Sequence, residues 1–315
     1  MTISELIEGA GSVCITGHIR PDGDCAGSAL ALYRYLKRNH QGLDVDVFLE
    51  LPTAKLSFLS GYNDLNTRYD LDKTYDVMFC LDCASLERCG KAEKYFHSAG
   101  KTINIDHHIS NPEFAQINYV FPYSSSTCEV LYGFFEPEKI DREIAICLYT
   151  GIVYDTGVFK YPATSPQTMR IVADLMEFGI PMDFIIDESF YAKNYDENRI
   201  YGYAIMKSKL ACDGRVIYSS INKEELKQFG VASRELEGIV EQLRLTRGVK
   251  CSFCIHEVNP TEYKVSFRSN GEVDVNKIAE KFGGGGHERA AGANLKGDMD
   301  ACIARILIEA GKCFN

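Results

Sequence analysis

No stretch of the 315 residues approaches the roughly 20 apolar residues that a membrane-spanning helix needs. The opening MTISELIEGAGSVCITGH has neither a basic n-region nor an apolar run of useful length, so no secretory leader is expected. A cytoplasmic protein with no membrane association follows, and its twelve cysteines are expected to be thiols rather than disulfides. Internal repeats and low-complexity segments are also missing. Positive charge is in deficit: 34 Lys+Arg face 44 Asp+Glu, a net charge of −10. Long duplex DNA is therefore excluded as a partner, because its binding depends on many phosphate contacts along a basic track. The deficit is local. Residues 215–315 carry 15 basic and 14 acidic side chains, while residues 1–214 carry 19 and 30. An acidic half that binds divalent cations, followed by a half better suited to an anionic substrate, fits this distribution.

What is present is the composition of a globular protein, with 45% hydrophobic and 25% charged residues. The length suggests two domains. The apolar runs Ser12–Thr16, Asp44–Leu49, Asp76–Leu81 and Thr102–Ile105 read as strands. Between and after them, Ser28–Arg38 (with Ser28 as its N-cap), Thr127–Phe135 and Glu143–Tyr154 have helical spacing. This alternation predicts an α/β fold: an N-terminal doubly wound, mainly parallel sheet over residues 1–186. A helical connector over 187–212 leads to a smaller C-terminal α/β domain over 213–315. There, Val216–Ile221, Val249–Glu257 and Glu262–Ser269 read as strands. Lys223–Phe229, Ser233–Leu245, Val275–Phe282 and a segment around Asp300–Ala310 read as helices. Two CxxC pairs, Cys80/Cys83 and Cys251/Cys254, lie in apolar strand-like runs. Residues three apart on a strand face opposite ways, so buried thiols are expected there rather than zinc ligands.

Polar clusters stand where apolar segments end. They are His18-Ile-Arg-Pro-Asp22-Gly-Asp24, Asp82, Asp106-His107-His108, and Asp155 in GIVYDTG. Taken singly, an Asp at a strand end is a cap or turn residue. Taken together on an α/β scaffold, carboxylates and imidazoles at several strand ends suit a pair of first-row divalent ions bridged by a carboxylate. The ion expected is Mn²⁺, with Mg²⁺ or Co²⁺ as alternatives. Near the C-terminus, Gly283-Gly284-Gly285-Gly286-His287-Glu-Arg-Ala-Ala-Gly292 lacks the Lys-Ser/Thr of a Walker loop. Its glycines still permit close approach of backbone N–H groups to a phosphate, and a helix starting near His287 would add its positive end. Arg268-Ser269 ends a predicted strand and offers a guanidinium for the same phosphate.

These motifs resemble, in order, those of the DHH phosphoesterase superfamily, and the glycine cluster resembles the DHH-associated C-terminal domain. The resemblance implies one metal on His18, Asp22 and Asp82 and another on Asp24, Asp82, His107 and Asp155, with Asp82 bridging. It implies that Asp106 orients a histidine, that His108 faces the substrate phosphate, and that Arg268, Ser269, Gly283–Gly286 and His287 bind substrate. Length and the missing membrane span match the members that cleave short oligoribonucleotides to mononucleotides and dephosphorylate 3'-phosphoadenosine 5'-phosphate (pAp). The expected substrates are thus short single-stranded RNA and nucleotides, and a homodimer is expected from the family. The alternative within the family is a phosphodiesterase of cyclic dinucleotides or their linear products. From another class, a non-catalytic nucleotide-binding module would have lost ligand residues, and none is lost here. A dinucleotide-dependent oxidoreductase would need GxGxxG after the first strand.

Overall fold

The computed structural model describes residues 1–236 and 238–314. They form two compact units that divide between Ala192 and Lys193. The segment expected as a connector is thereby split. A π-helical turn, Asp187–Tyr191, ends the first unit, and the helix Tyr195–Met206 opens the second.

The first unit is built on five parallel strands: β1 (Ser12–Thr16), β2 (Asp44–Phe48), β3 (Val77–Leu81), β4 (Lys101–Asp106) and β5 (Ile117–Val120). Their spatial order is β2-β1-β3-β4-β5. Strand alternation divides the core into two layers. On β3, Val77, Phe79 and Leu81 join the helix-covered cluster, while Met78 and Cys80 join Cys14, Phe48, Tyr75 and Tyr95 on the other face. Burial on both faces is why this strand reads as a continuous apolar run. The order reverses between β1 and β3, so a crevice opens beyond the carboxyl ends of those two strands.

The helix after β1 starts earlier than its apolar spacing predicts. It spans Gly23–Asn39 with Asp22 as its N-cap. Ser28 lies inside it, buried, and donates to the Cys25 carbonyl at 3.2 Å. The polar Gly-Asp pair hides the first turn from a hydrophobicity pattern, but the Asp22 carboxylate accepts from Asp24 N and Cys25 N, both at 3.1 Å. Asp155 closes the helix Arg142–Asp155, within a residue of the predicted Glu143–Tyr154. Glycine brings these two helices together: a Cβ on Gly27 would lie 2.6 Å from the Cys147 carbonyl, and one on Gly151 would lie 2.7 Å from Asp24 Oδ1. The shorter helix Thr127–Tyr132 packs alongside them.

The second unit carries a six-stranded mixed sheet of order β10-β11-β9-β8-β7-β6. Its strands are β6 (Lys209–Ala211), β7 (Val216–Ile221), β8 (Cys251–Asn259), β9 (Glu262–Ser269), β10 (Gly285–His287) and β11 (Ala290–Lys296). Only β7 and β8 pair in parallel. Helices cover both faces. Cys251, Phe253 and Ile255 face the layer with Ile278 and Ile306, and Cys254 faces the layer with Ile200 and Leu243. The predicted helix Ser233–Leu245 is a 3-10 turn, Ser233–Leu236, and a helix, Ile239–Arg244; residue 237 between them lies outside the described residues. No helix among the described residues is long and apolar enough to cross a membrane.

The Cys251/Cys254 pair thus divides between faces as expected. The Cys80/Cys83 pair does not, because β3 ends at Leu81 and Asp82 turns the chain with φ 56°. Cys80 and Cys83 share one buried cluster with Cys89, whose Sγ lies 3.4 Å from that of Cys83.

Candidate metal centre

The four polar clusters of the N-terminal half converge at the crevice between β1 and β3. His18 follows β1, Asp82 follows β3, and Asp106 is the last residue of β4. Asp22 and Asp24 lie at the start of the Gly23–Asn39 helix, and Asp155 comes from the end of the Arg142–Asp155 helix. His18 Nε2 lies 3.4 Å from Asp82 Oδ2 and 3.8 Å from Asp22 Oδ1. His107 Nε2 lies 3.5 Å from the other Asp82 oxygen, 3.1 Å from Asp155 Oδ2 and 4.0 Å from Asp24 Oδ2. Asp82 therefore presents one oxygen to each histidine, the geometry a bridging carboxylate requires. Its left-handed backbone is a conformation that Asp tolerates better than most residues.

Three groups have ligand atoms all within 4.8 Å of one another: His18/Cys25/Asp82, Asp82/His107/His108 and Asp24/His107/Asp155. Asp82 and His107 each belong to two of them. The donor set is mainly carboxylate and imidazole, which fits a pair of first-row divalent ions. The Cys25 thiol beside His18 adds one soft donor that the sequence reading did not single out.

Charge in the crevice is crowded and buried. Burial, reinforced by the neighbouring Asp82 and Asp155 carboxylates, pushes the Asp24 carboxyl well above its ordinary range. Burial also raises Asp155, with only partial relief from its hydrogen bond to His107. For His107, burial lowers the pKa, but Asp155, Asp24 and Asp82 overcome it and lift the imidazole to about 10. His18 is likewise held up against burial by Asp22 and Asp82, and Asp22 is held down against burial chiefly by His18. So much negative charge in one place calls for cations.

Neutral donors hold this cluster in place. The N-terminus of the Thr127–Tyr132 helix gives Asp24 two N–H bonds, from Thr127 at 2.6 Å and Cys128 at 2.9 Å. The Thr127 hydroxyl donates to Asp82 Oδ1 at 3.0 Å. Asp106 accepts from His107 N and pairs with His108 Nδ1, both at 2.8 Å, and Asn111 Nδ2 bonds its other oxygen at 2.5 Å. These bonds hold the Asp106 carboxyl below its ordinary range despite burial, and Asp106 in turn raises His108. Sequence reasoning missed Thr127 and Asn111. The run Ser126-Thr-Cys-Glu129 does carry a helix-start pattern, Ser126 Oγ accepting from Glu129 N at 3.0 Å, and such an N-terminus is a ready carboxylate holder.

In the second unit the glycine cluster differs from expectation. No helix starts near His287; the segment is a β-hairpin, with β10 pairing β11. Gly283 N and Gly284 N donate to the Glu280 and Ala279 carbonyls, closing the Val275–Glu280 helix. The glycines are needed for close backbone approach. A Cβ on Gly284 would lie 2.1 Å from the Gly292 carbonyl, and one on Gly286 2.5 Å from that of Ala290. Beside them a shallow cavity of about 190 Å³ is lined by Lys264, Gly283, Gly284, Gly292, Ala293 and Asn294. Arg268 sits on β9 opposite Ala290 of β11, one strand removed from the glycines of β10. Ser269 is buried and its hydroxyl accepts from Gly271 N at 2.9 Å, and His287 is exposed.

Residues 12–152 match the family described as DHH family, N-terminal domain, and residues 213–314 match the DHHA1 domain. The chain is 29% identical to the bifunctional oligoribonuclease and PAP phosphatase NrnA of Thermus thermophilus, over 97% of this chain and 91% of that protein. It is 25% identical to the Bacillus subtilis protein of the same name, over 90% of this chain and 89% of that one. Among solved structures, an exopolyphosphatase-related protein from Bacteroides fragilis aligns with a TM-score of 0.87 and 28% identity, over 98% of this chain and 95% of that chain.

Proposed function

Because the chain belongs to the DHH family and carries a DHHA1 domain, we propose that it is a two-metal phosphoesterase that cleaves short oligoribonucleotides and dephosphorylates pAp. The observation that carries the reading is Asp82, placed at the sheet's switch point with its two oxygens turned toward His18 and His107. The names of the Thermus and Bacillus relatives support the substrate class.

His18, Asp22 and Asp82 would hold one divalent ion, and Asp24, Asp82, His107 and Asp155 the other, with Mn²⁺ the best match to the donors. Two such ions, when bound, neutralise the scissile phosphate and activate water for in-line attack. The protein's own groups set the geometry. Asp106 fixes His108 through Nδ1, which leaves Nε2 as the atom to meet a phosphate oxygen. Thr127 and Cys128 keep Asp24 and Asp82 in position without adding charge. In the second unit, Arg268 and the groove beside Gly283 and Gly284 would receive another phosphate or a base of the substrate.

A turnover panel with Mn²⁺ tests the reading. It should compare pAp, a dinucleotide, a five-residue RNA, a twenty-four-residue RNA and cyclic di-AMP. The expected order of kcat/KM puts the dinucleotide-to-pentanucleotide range above the long RNA, with pAp turned over too. The second unit has no long basic track to reward added nucleotides. Equal or rising kcat/KM from five to twenty-four residues would overturn the short-substrate assignment, and preference for cyclic di-AMP would move the substrate class.

A further inference from the structure

Arg20 lies between two of the proposed ligands, His18 and Asp22, yet it is exposed. Its backbone is left-handed, with φ 55°, a conformation that ordinary side chains avoid. Two bonds hold the loop there. Glu50 Oε2 accepts from Arg20 N at 2.7 Å, and Ile19 N donates to the Arg88 carbonyl at 2.8 Å. The 3-10 helical segment Leu86–Ala92, which carries Arg88, follows β3 and packs tightly on that loop: a Cβ on Gly90 would lie 2.4 Å from Ile19 Cγ2. The two arginines thus flank Ile19 at the carboxyl ends of β1 and β3, on the same rim as His18 and Asp82.

Neither guanidinium has a carboxylate or hydrogen-bond partner among the described residues, although this half of the chain is rich in acids. Arg34 and Arg38 share Asp141, and Lys73 takes Asp44 and Asp46. The Glu50 carboxylate bonds the Arg20 backbone N–H and forms no ion pair with its guanidinium. Strain and an unpaired cation at the edge of an anion-handling site point to a ligand contact.

We propose that Arg20, with Arg88 beside it, binds a second phosphate of the substrate, the one next to the phosphate being hydrolysed. The ligand class is a linear oligonucleotide bearing at least two phosphates. The proposal rests on the phosphoesterase reading above. A guanidinium fork matches two phosphate oxygens, and the carboxylates of the crevice would otherwise repel that group.

The test compares a dinucleotide carrying a 5'-phosphate (pApA) with the same dinucleotide lacking it (ApA), using Mn²⁺-loaded protein. Arg20→Asn removes the charge but keeps a residue that tolerates the left-handed backbone. Wild type should favour pApA in KM, and Arg20→Asn should erase roughly 10- to 100-fold of that preference, the range of one charge-assisted contact. Arg20→Lys should restore part of it, and Arg88→Gln should lower it by a smaller factor. Manganese binding, read by calorimetry, should be unchanged in Arg20→Asn. An unaltered preference in both Arg20→Asn and Arg88→Gln overturns the proposal. Equal losses on pApA and ApA also overturn it, because they place Arg20 at the scissile phosphate. Wild type that cleaves neither substrate rejects the phosphoesterase reading itself, a result distinct from either.

Discussion

The two units use opposite means to meet charge. The first gathers carboxylates and imidazoles from strand and helix ends into a buried crevice, where each group alters its neighbours' ionisation. The second offers a half-buried arginine and a glycine hairpin beside a shallow groove, with a nearly balanced net charge. In the first, side-chain chemistry decides the site. In the second, the absence of side chains shapes the groove, because the hairpin backbone passes where a Cβ would not fit.

Breaking the first unit's site should have the largest effect. Asp82→Asn keeps the left-handed backbone but halves the bridge. Turnover should fall by more than about a thousandfold, or ~4 kcal/mol in the barrier, and manganese uptake should weaken while circular dichroism stays native. Activity within about tenfold of wild type would refute the bridging role. Gly284→Ala attacks the other side of the comparison. It should destabilise the second unit by about 3 kcal/mol in urea unfolding through overpacking, with manganese binding to the first unit retained. A neutral Gly284→Ala would mean that the hairpin's close approach does not explain the glycines.

The units should also differ in their response to acid. Burial, helped by Lys264, lowers the His256 pKa from 6.5 to about 4 in the folded second unit. Its contribution is full above the unfolded pKa and is lost as pH falls from about 6.5 toward 4, because the unfolded chain takes up the proton first. Stability of the second unit should decline over that window by less than about 3 kcal/mol, and His256→Gln should flatten the decline. An identical slope in the variant would reject this source.

Arg268→Ala sharpens the division of labour: KM for pAp should rise by roughly tenfold with metal binding unchanged, and Lys should rescue only in part. Lost metal with unaltered substrate affinity would move Arg268 out of the substrate site. The smallest effect expected is that of Thr127→Val. Losing one neutral hydrogen bond to Asp82 should cost about 1 kcal/mol in metal affinity, a change of several-fold. No change by calorimetry would show that the backbone donors suffice.

The sequence by itself determined the strands β1 to β4 within a residue or two, because their apolar runs are short, β-branched and bounded by polar residues. It also determined that His18, Asp22, Asp24, Asp82, His107 and Asp155 are the residues to watch, because clustered ligand types at segment ends have few structural uses. Only the tertiary structure decided how they meet. The parallel order β2-β1-β3-β4-β5 puts His18 beside Asp82 across dozens of intervening residues, and glycine-mediated helix packing brings Asp24 to Asp155. It also decided that Asp22 rather than Ser28 caps its helix, and that the glycine run is a hairpin. Each depends on a contact between segments far apart in the chain or on backbone geometry, and local apolar periodicity records neither.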